Sequence, residues 1–302
     1  MKVGLMLPLG QNDALGRPLS WPELREMAVA ADEGGLDSVW GADHLIFHDE
    51  GETAGIHECW TLLTAVAGVT RRVEIGPLVL ALPFRNPALL AKMATALDTI
   101  SDGRLILGVG CGWHKPEFDA FGFPFDHRVS RFEEALQVLV PLLRNRRVSF
   151  HGKWHAADAE LLPPGPRPYG PPILIAGKQP RMMQLVARYA DQWNAAWYGM
   201  PAKATELAER IARQRAACEA EGRDPTTLTL TAGIFVVFPE LLAAGDGEEP
   251  PESAIRGDVD QVGEALAGYE MHGVEHVIAH VWPRTASAVD TLARAADMAR
   301  AS

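Results

Sequence analysis

Arg85–Trp113 reads RNPALLAKMATALDTISDGRLILGVGCGW, and the order of its signals decides the fold. Pro87–Ile100 repeats apolar residues at helical spacing. Ser101-Asp102-Gly103 is a tight turn, and Leu105–Val109 is a short apolar run that predicts a buried strand. That strand opens into a glycine-spaced loop, Gly108-Val109-Gly110-Cys111-Gly112-Trp113. Glycine at alternate positions lets backbone approach a flat ligand without a Cβ in the way. In a series of βα units, such a strand end marks one wall of a site.

Outward from this unit the same alternation continues. Strands are expected at Val3–Pro8, Ser38–Trp40, Val73–Ala81, Ile173–Ala176, Gln192–Ala195, Leu228–Phe238 and His276–His280. Helices are expected at Trp21–Glu33, capped by Ser20 with Pro22 in the first turn, and at Cys59–Val69, Val129–Arg144, Pro180–Tyr189, Pro201–Glu221, Val259–His272 and Ala286–Arg300. Asp43–Glu58 reads as a polar loop, and the stretch up to His127 as an aromatic one. Val148–His155 suggests a small hairpin, and Gly245–Glu252 a mobile acidic loop. Eight βα repeats suit an α/β fold, a single (β/α)8 TIM barrel over residues 1–302 with insertions in the βα loops, better than a doubly wound open sheet.

Composition narrows the function. The chain has 302 residues, 47% hydrophobic and 22% charged, with a formal charge of −11. The acidic balance argues against a nucleic-acid partner, which needs clustered positive charge. Cys59, Cys111 and Cys218 make no CxxC pair and fit a reducing, cytoplasmic setting. The opening MKVGLMLPLG is broken by Pro8 and reads as a buried strand. No stretch approaches a membrane span of ~20 apolar residues.

Barrel sites gather on the βα loops. After strand two come Asp43 and His44, with His48, Asp49 and Glu50 close behind. A histidine there can serve as a general acid or base, or Asp43 can be a loop cap beside an exposed imidazole. The Gly108–Gly112 loop departs from G-x-G-x-x-G, with Trp113 in the last glycine's place and Pro116 where the following helix should continue. A dinucleotide fold is therefore disfavoured. Ala176-Gly177-Lys178 precedes a helix N-terminus and offers either an anion site or an ordinary turn. HxH and HExxH are absent, so no metal is expected, and without GxSxG there is no nucleophile elbow. His276 and His280 alternate on a strand, a pattern of packing more than of ligation.

Taken together, these residues resemble the luciferase-like monooxygenase superfamily, in its deazaflavin-dependent branch. The matching features begin with Asp43-His44, Glu58-Cys59-Trp60, Arg85-Asn86-Pro87, Ser101-x-Gly103-Arg104 and Gly108-Val109-Gly110-x-Gly112-Trp113. They continue with Glu117, Phe121-Gly122, Arg128, Arg131-x-x-Glu134, Pro172-Ile173-x-Ile175-x-Gly177 and Ala190-Asp191-x-Trp193-Asn194. The resemblance runs from Lys2 to about Asn194.

It implies a barrel holding coenzyme F420, or alternatively FMN, across its mouth, with the ring on a non-prolyl cis peptide near Leu78-Val79. Asp43 would meet the pyrimidine edge, the Gly110, Cys111 and Gly112 backbone would flank the ring, and Ala176, Gly177 and Lys178 would take the phosphate. The implied chemistry is hydride transfer with an organic small-molecule substrate, His44 handling the proton. Members that oxidise sugar phosphates carry a glutamate where this chain has Trp113, so that activity is not expected. Trp113 with Phe84 and Trp197 would instead line an apolar substrate pocket. The alternatives are an FMN monooxygenase using molecular oxygen and a separate reductase, and a flavin-binding protein without turnover. Relatives are often dimers, which admits a homodimer.

Overall fold

The computed structural model describes residues 1–12, 15–49, 52–198, 204–242 and 250–301. Eight parallel strands form the barrel: β1 (Lys2–Leu7), β2 (Ser38–Gly41), β3 in two pieces (Glu74–Pro77 and Leu80–Ala81), β4 (Leu107–Gly110), β5 (Ile173–Ala176), β6 (Gln192–Tyr198), β7 (Thr229–Val237) and β8 (His276–Trp282). Each pairs in parallel with its neighbours in sequence, and β8 pairs with β1, Lys2 standing opposite His276. The nearly closed ring meets itself at β3. Its first piece pairs with β2 (Ser38 opposite Glu74) and its second with β4 (Leu80 opposite Val109). Between the pieces, the Leu78–Val79 peptide is cis, where the resemblance implied it. The Ile75 amide bonds the Arg104 carbonyl at 2.9 Å and helps to draw the two edges together.

Side chains alternate across each strand. The outward set packs on the surrounding helices in one large cluster, while Met6, Trp40, Leu78, Ile106, Leu174 and Ile278 fill the barrel interior. Helices α1 (Trp21–Glu33), α2 (Cys59–Val69) and α3 (Pro87–Ile100) begin where the sequence places them. Local chemistry fixes each start: Glu23 returns to the Ser20 amide at 2.6 Å, Glu58 accepts from the Trp60 and Thr61 amides, and Asn86 from those of Ala88 and Leu89. Gly35 (φ 92°), Asp102 (φ 53°) and Gly103 (φ 78°) turn the chain in left-handed conformations. Arg104 then closes the far end of α2, donating to the Ala67, Thr70 and Val73 carbonyls; these include acceptors that the last helical turn leaves unpaired.

Two loop expectations are corrected. Asp43–Glu58 holds an antiparallel hairpin, Ile46–Asp49 with Glu52–Gly55. The aromatic stretch holds a short helix, α4 (Lys115–Phe121), with Pro116 in its first turn. Proline is tolerated there because the first-turn N–H groups have no intrahelical acceptor. The remaining helices are α5 (Arg128–Asn145), α6 (Pro180–Tyr189), α7 (Ala204–Ala220), α8 (Val259–Met271) and α9 (Ala286–Ala301). The Val148–His155 hairpin is longer than expected, pairing Arg147–His151 with Ala156–Glu160. Most of the Gly245–Glu252 loop, and the start expected for the helix at Pro201, lie outside the described residues. Among the described residues no helix is long and apolar enough to cross a membrane.

Candidate active site

His44 stands just beyond β2, at the C-terminal mouth of the barrel. Its Nδ1 lies 3.1 and 3.3 Å from the two carboxylate oxygens of Glu117 in the first turn of α4. The neighbouring Leu45 amide donates to the same carboxylate at 3.0 Å. Glu117 is fully buried, while the imidazole keeps 14% of its side-chain exposure. Around the ring stand Phe47 at 4.4 Å, Trp113 at 5.7 Å and His114 at 6.3 Å between centroids. Trp113 itself is 64% exposed, so most of its indole remains uncovered beside His44. The folded chain thus brings together two sequence-selected residues, His44 and Trp113, with three that had no assigned role: Glu117, Phe47 and His114.

Asp43 faces a different duty from its neighbour. Both of its oxygens are taken by the Arg85 guanidinium, at 2.6 and 2.8 Å, and one also accepts the Ala81 amide at 2.8 Å. Arg85 continues to Glu58 at 3.0 Å. Asp43 is therefore tied to the second piece of β3, and the Asp43–Arg85–Glu58 chain fixes that strand against the start of α2. Arg85 and Glu58 are distant from Asp43 in sequence, and no local pattern links the three.

The glycine loop is explained by packing. A Cβ on Gly108 would sit 2.0 Å from the Pro77 carbonyl oxygen, and one on Gly110 would sit 2.8 Å from the Val79 side chain. At Gly112 (φ 71°) a Cβ would meet the Phe118 ring at 2.5 Å. β3 and α4 fill the space on the side where these glycines lack a Cβ, so packing alone already requires glycine at all three positions. Gly112 also gives its carbonyl to Arg128 at 2.5 Å. Cys111 is half-buried, and that burial pushes its thiol up, against the pull of Arg128.

Leu78 is 9% exposed and Val79 half-buried; with Ala42 they pack on the interior cluster near the barrel mouth. Phe84 packs on Phe118 and Phe123, at 4.7 and 4.8 Å between centroids. Ala176 ends β5 and Gly177 follows it, both half-buried, the Gly177 carbonyl accepting from the Trp193 indole at 2.8 Å. Lys178 is exposed just before α6. Arg181 is engaged by Ser130 and Glu133. Trp197 lies on β6 opposite Gly233, but its side chain, like those of His48 and Asp49, is outside the described set, as is Glu50. Among the described residues no group of three or more His, Cys, Asp or Glu is placed to hold a metal ion. A cavity of about 460 Å³ lies elsewhere on the rim, between α1 and Trp282–Ser287, and touches none of these residues. Side-chain chemistry, more than cleft volume, marks the site.

Comparison with known proteins follows the same line. The family model described as luciferase-like monooxygenase matches residues 1–243. An F420-dependent glucose-6-phosphate dehydrogenase of Amycolatopsis mediterranei is 37% identical over 194 residues, covering 61% of this chain and 55% of that protein. An F420-dependent hydroxymycolic acid dehydrogenase of Mycobacterium tuberculosis is 32% identical over 221 residues, covering 72% and 59%. The chain thus spans little more than half the length of these two relatives. A phthiodiolone/phenolphthiodiolone dimycocerosates ketoreductase of Mycobacterium bovis is 31% identical over 294 residues, covering 89% and 75%. Among solved structures, an F420-dependent secondary alcohol dehydrogenase bound to an F420-acetone adduct superposes with a TM-score of 0.79 at 19% identity, covering 99% of both chains. An EDTA monooxygenase of Chelativorans does so with a TM-score of 0.79 at 15% identity, covering 99% of this chain and 94% of the other. These two likenesses establish the barrel.

Proposed function

The chain belongs to the luciferase-like monooxygenase family, and from that premise we propose that it is an oxidoreductase moving a hydride between an organic substrate and coenzyme F420. The observation that carries this reading is His44, held by Glu117 at the barrel mouth beside Trp113. The F420-dependent relatives at 37% and 32% identity support the choice of cofactor. The residues present also fit such a group. Ala42, Leu78 and Val79 offer an apolar floor for a flat ring. The amides at the N-terminus of α6 with exposed Lys178 suit an anionic tail. Gly110, Cys111 and Gly112 would flank the ring, and Asp43 would serve its polar edge through lone pairs that Arg85 and the Ala81 amide leave free.

Bound there, F420 would accept or donate the hydride. The chain's own work is then to manage the proton. When an alcohol is oxidised, a hydride leaves carbon and a proton leaves oxygen; His44 takes that proton, and returns it when a carbonyl is reduced. Charge on the substrate oxygen is thereby avoided. Trp113 gives the substrate an aromatic wall where sugar-phosphate-oxidising relatives carry a carboxylate, so an uncharged, largely apolar alcohol or ketone is the substrate class favoured.

A parallel fluorescence titration with oxidised F420 and with FMN tests the cofactor. Micromolar or tighter binding of F420 alone is the expected result. Preference for FMN would replace this reading with oxygen-dependent chemistry served by a separate reductase. Binding of neither would overturn it.

A further inference from the structure

We propose that Glu117 is the positioning residue of His44, fixing the ring with its hydrogen on Nδ1 and leaving Nε2 as the atom that exchanges the proton; the inference rests on the reading of His44 as proton carrier. A carboxylate accepts hydrogen bonds, so the ring nitrogen 3.1 Å from Glu117 Oε1 must be the one that carries hydrogen. Neutral imidazole has a single N–H, and Nε2 then keeps its lone pair. The same carboxylate holds the Leu45 amide at 3.0 Å, so one buried group sets both the backbone after His44 and the tautomer of its ring.

The geometry also says what Glu117 does not do. It sits behind the imidazole, on Nδ1, and is fully buried. It works through His44 and does not present a second acid to substrate, which is the part a glutamate at the Trp113 position could play. The arrangement follows the logic of a base oriented by a carboxylate, in which the partner sets tautomer and direction.

The test begins without cofactor or substrate. In the full chain labelled with ¹⁵N-histidine, ring nitrogen shifts report the tautomer, with His44→Asn assigning the signal. With the ring neutral, the wild-type protein is expected in the Nδ1–H form. In Glu117→Gln the amide group can itself donate to Nδ1, and the population shifts toward Nε2–H. A wild-type Nε2–H ring, or a tautomer unmoved by Glu117→Gln, would overturn the proposal. The kinetic arm uses F420-linked turnover: Glu117→Gln is expected to lower kcat by about 10²–10⁴-fold while KM and F420 affinity stay within about twofold. An unchanged kcat overturns the proposal, as does a loss confined to KM. Absence of F420 binding in the wild-type chain would instead sink the functional reading and leave the tautomer result standing.

Discussion

At Gly108 a side chain has nowhere to go. Its Cβ would meet a backbone oxygen, that of Pro77, at 2.0 Å, whereas at Gly110 the nearest atom is a Val79 methyl at 2.8 Å. A methyl can rotate aside; a carbonyl in a strand that closes the barrel cannot. Gly110→Ala should therefore cost about 1–3 kcal/mol, within the ordinary range for overpacking. Gly108→Ala should cost more than ~4 kcal/mol or prevent folding. Urea denaturation of the two variants checks the order, and equal, mild losses would show that β3 and β4 are not so closely apposed. The glycine spacing was plain in the sequence. What filled the gaps was not, because Pro77 and Val79 are some 30 positions away and no local pattern links them. The same holds for His44 and Glu117, 73 residues apart.

Elements were most legible where their ends carry their own chemistry. Ser20 with Pro22 announces α1, the apolar spacing from Pro87 announces α3, and both helices have the expected limits. Reading failed where one residue type has two meanings. Pro116, a helix breaker by residue type, stands in the first turn of α4, where proline is tolerated. The polar stretch after His44 conceals a hairpin because Ile46–Asp49 places two apolar residues before two polar ones and shows no strand alternation. Another hairpin shows how a helix can hold an insertion in place. Glu134 of α5 reaches across to accept the Lys153, Trp154 and His155 amides at 2.9, 2.7 and 3.1 Å. Gly152 leaves it room, since a Cβ there would lie 2.4 Å from the carboxylate. Desolvation pushes the Glu134 carboxyl up, but the three amides outweigh it and hold it below the usual range. Glu134→Ala should raise hydrogen exchange at residues 153–155 at least about tenfold, by local opening of the hairpin tip, and leave the α5 amides unchanged. Unaltered protection at those three amides would mean that the hairpin stands without its helix.

At the scale of the molecule, closure depends on contacts that cross the barrel floor. His276 of β8 lies 2.7 Å from the Ser38 hydroxyl of β2, and Trp40 donates its indole N–H to the same oxygen at 2.6 Å. The link passes over β1 because Gly4 has no side chain; a Cβ there would sit 2.1 Å from Ser38 Oγ. With the indole donating to it, the hydroxyl is free to give its own hydrogen to the His276 Nε2 lone pair, an arrangement that needs a neutral ring. Burial pushes the His276 pKa down to about 3, Lys2 adding to the shift and Asp37 opposing it. The unfolded chain, with an ordinary histidine near 6.5, binds the proton first. Between those values the unfolded state holds more protons, so stability present above about pH 6.5 drains away as pH falls toward 3, at a limiting slope of ~1.4 kcal/mol per pH unit. The carboxylates held low by their partners, Glu134 among them, lose their share only below about pH 4.5. The interval from about pH 6.5 to 5 therefore isolates the histidines. Over that interval, urea unfolding should show His276→Gln losing less stability than the wild-type chain, its curve flatter by about 1 kcal/mol per pH unit. Parallel curves would mean that His276 already carries its proton in the folded barrel, and that the bond from β8 to β2 is made the other way round, with the imidazole as donor.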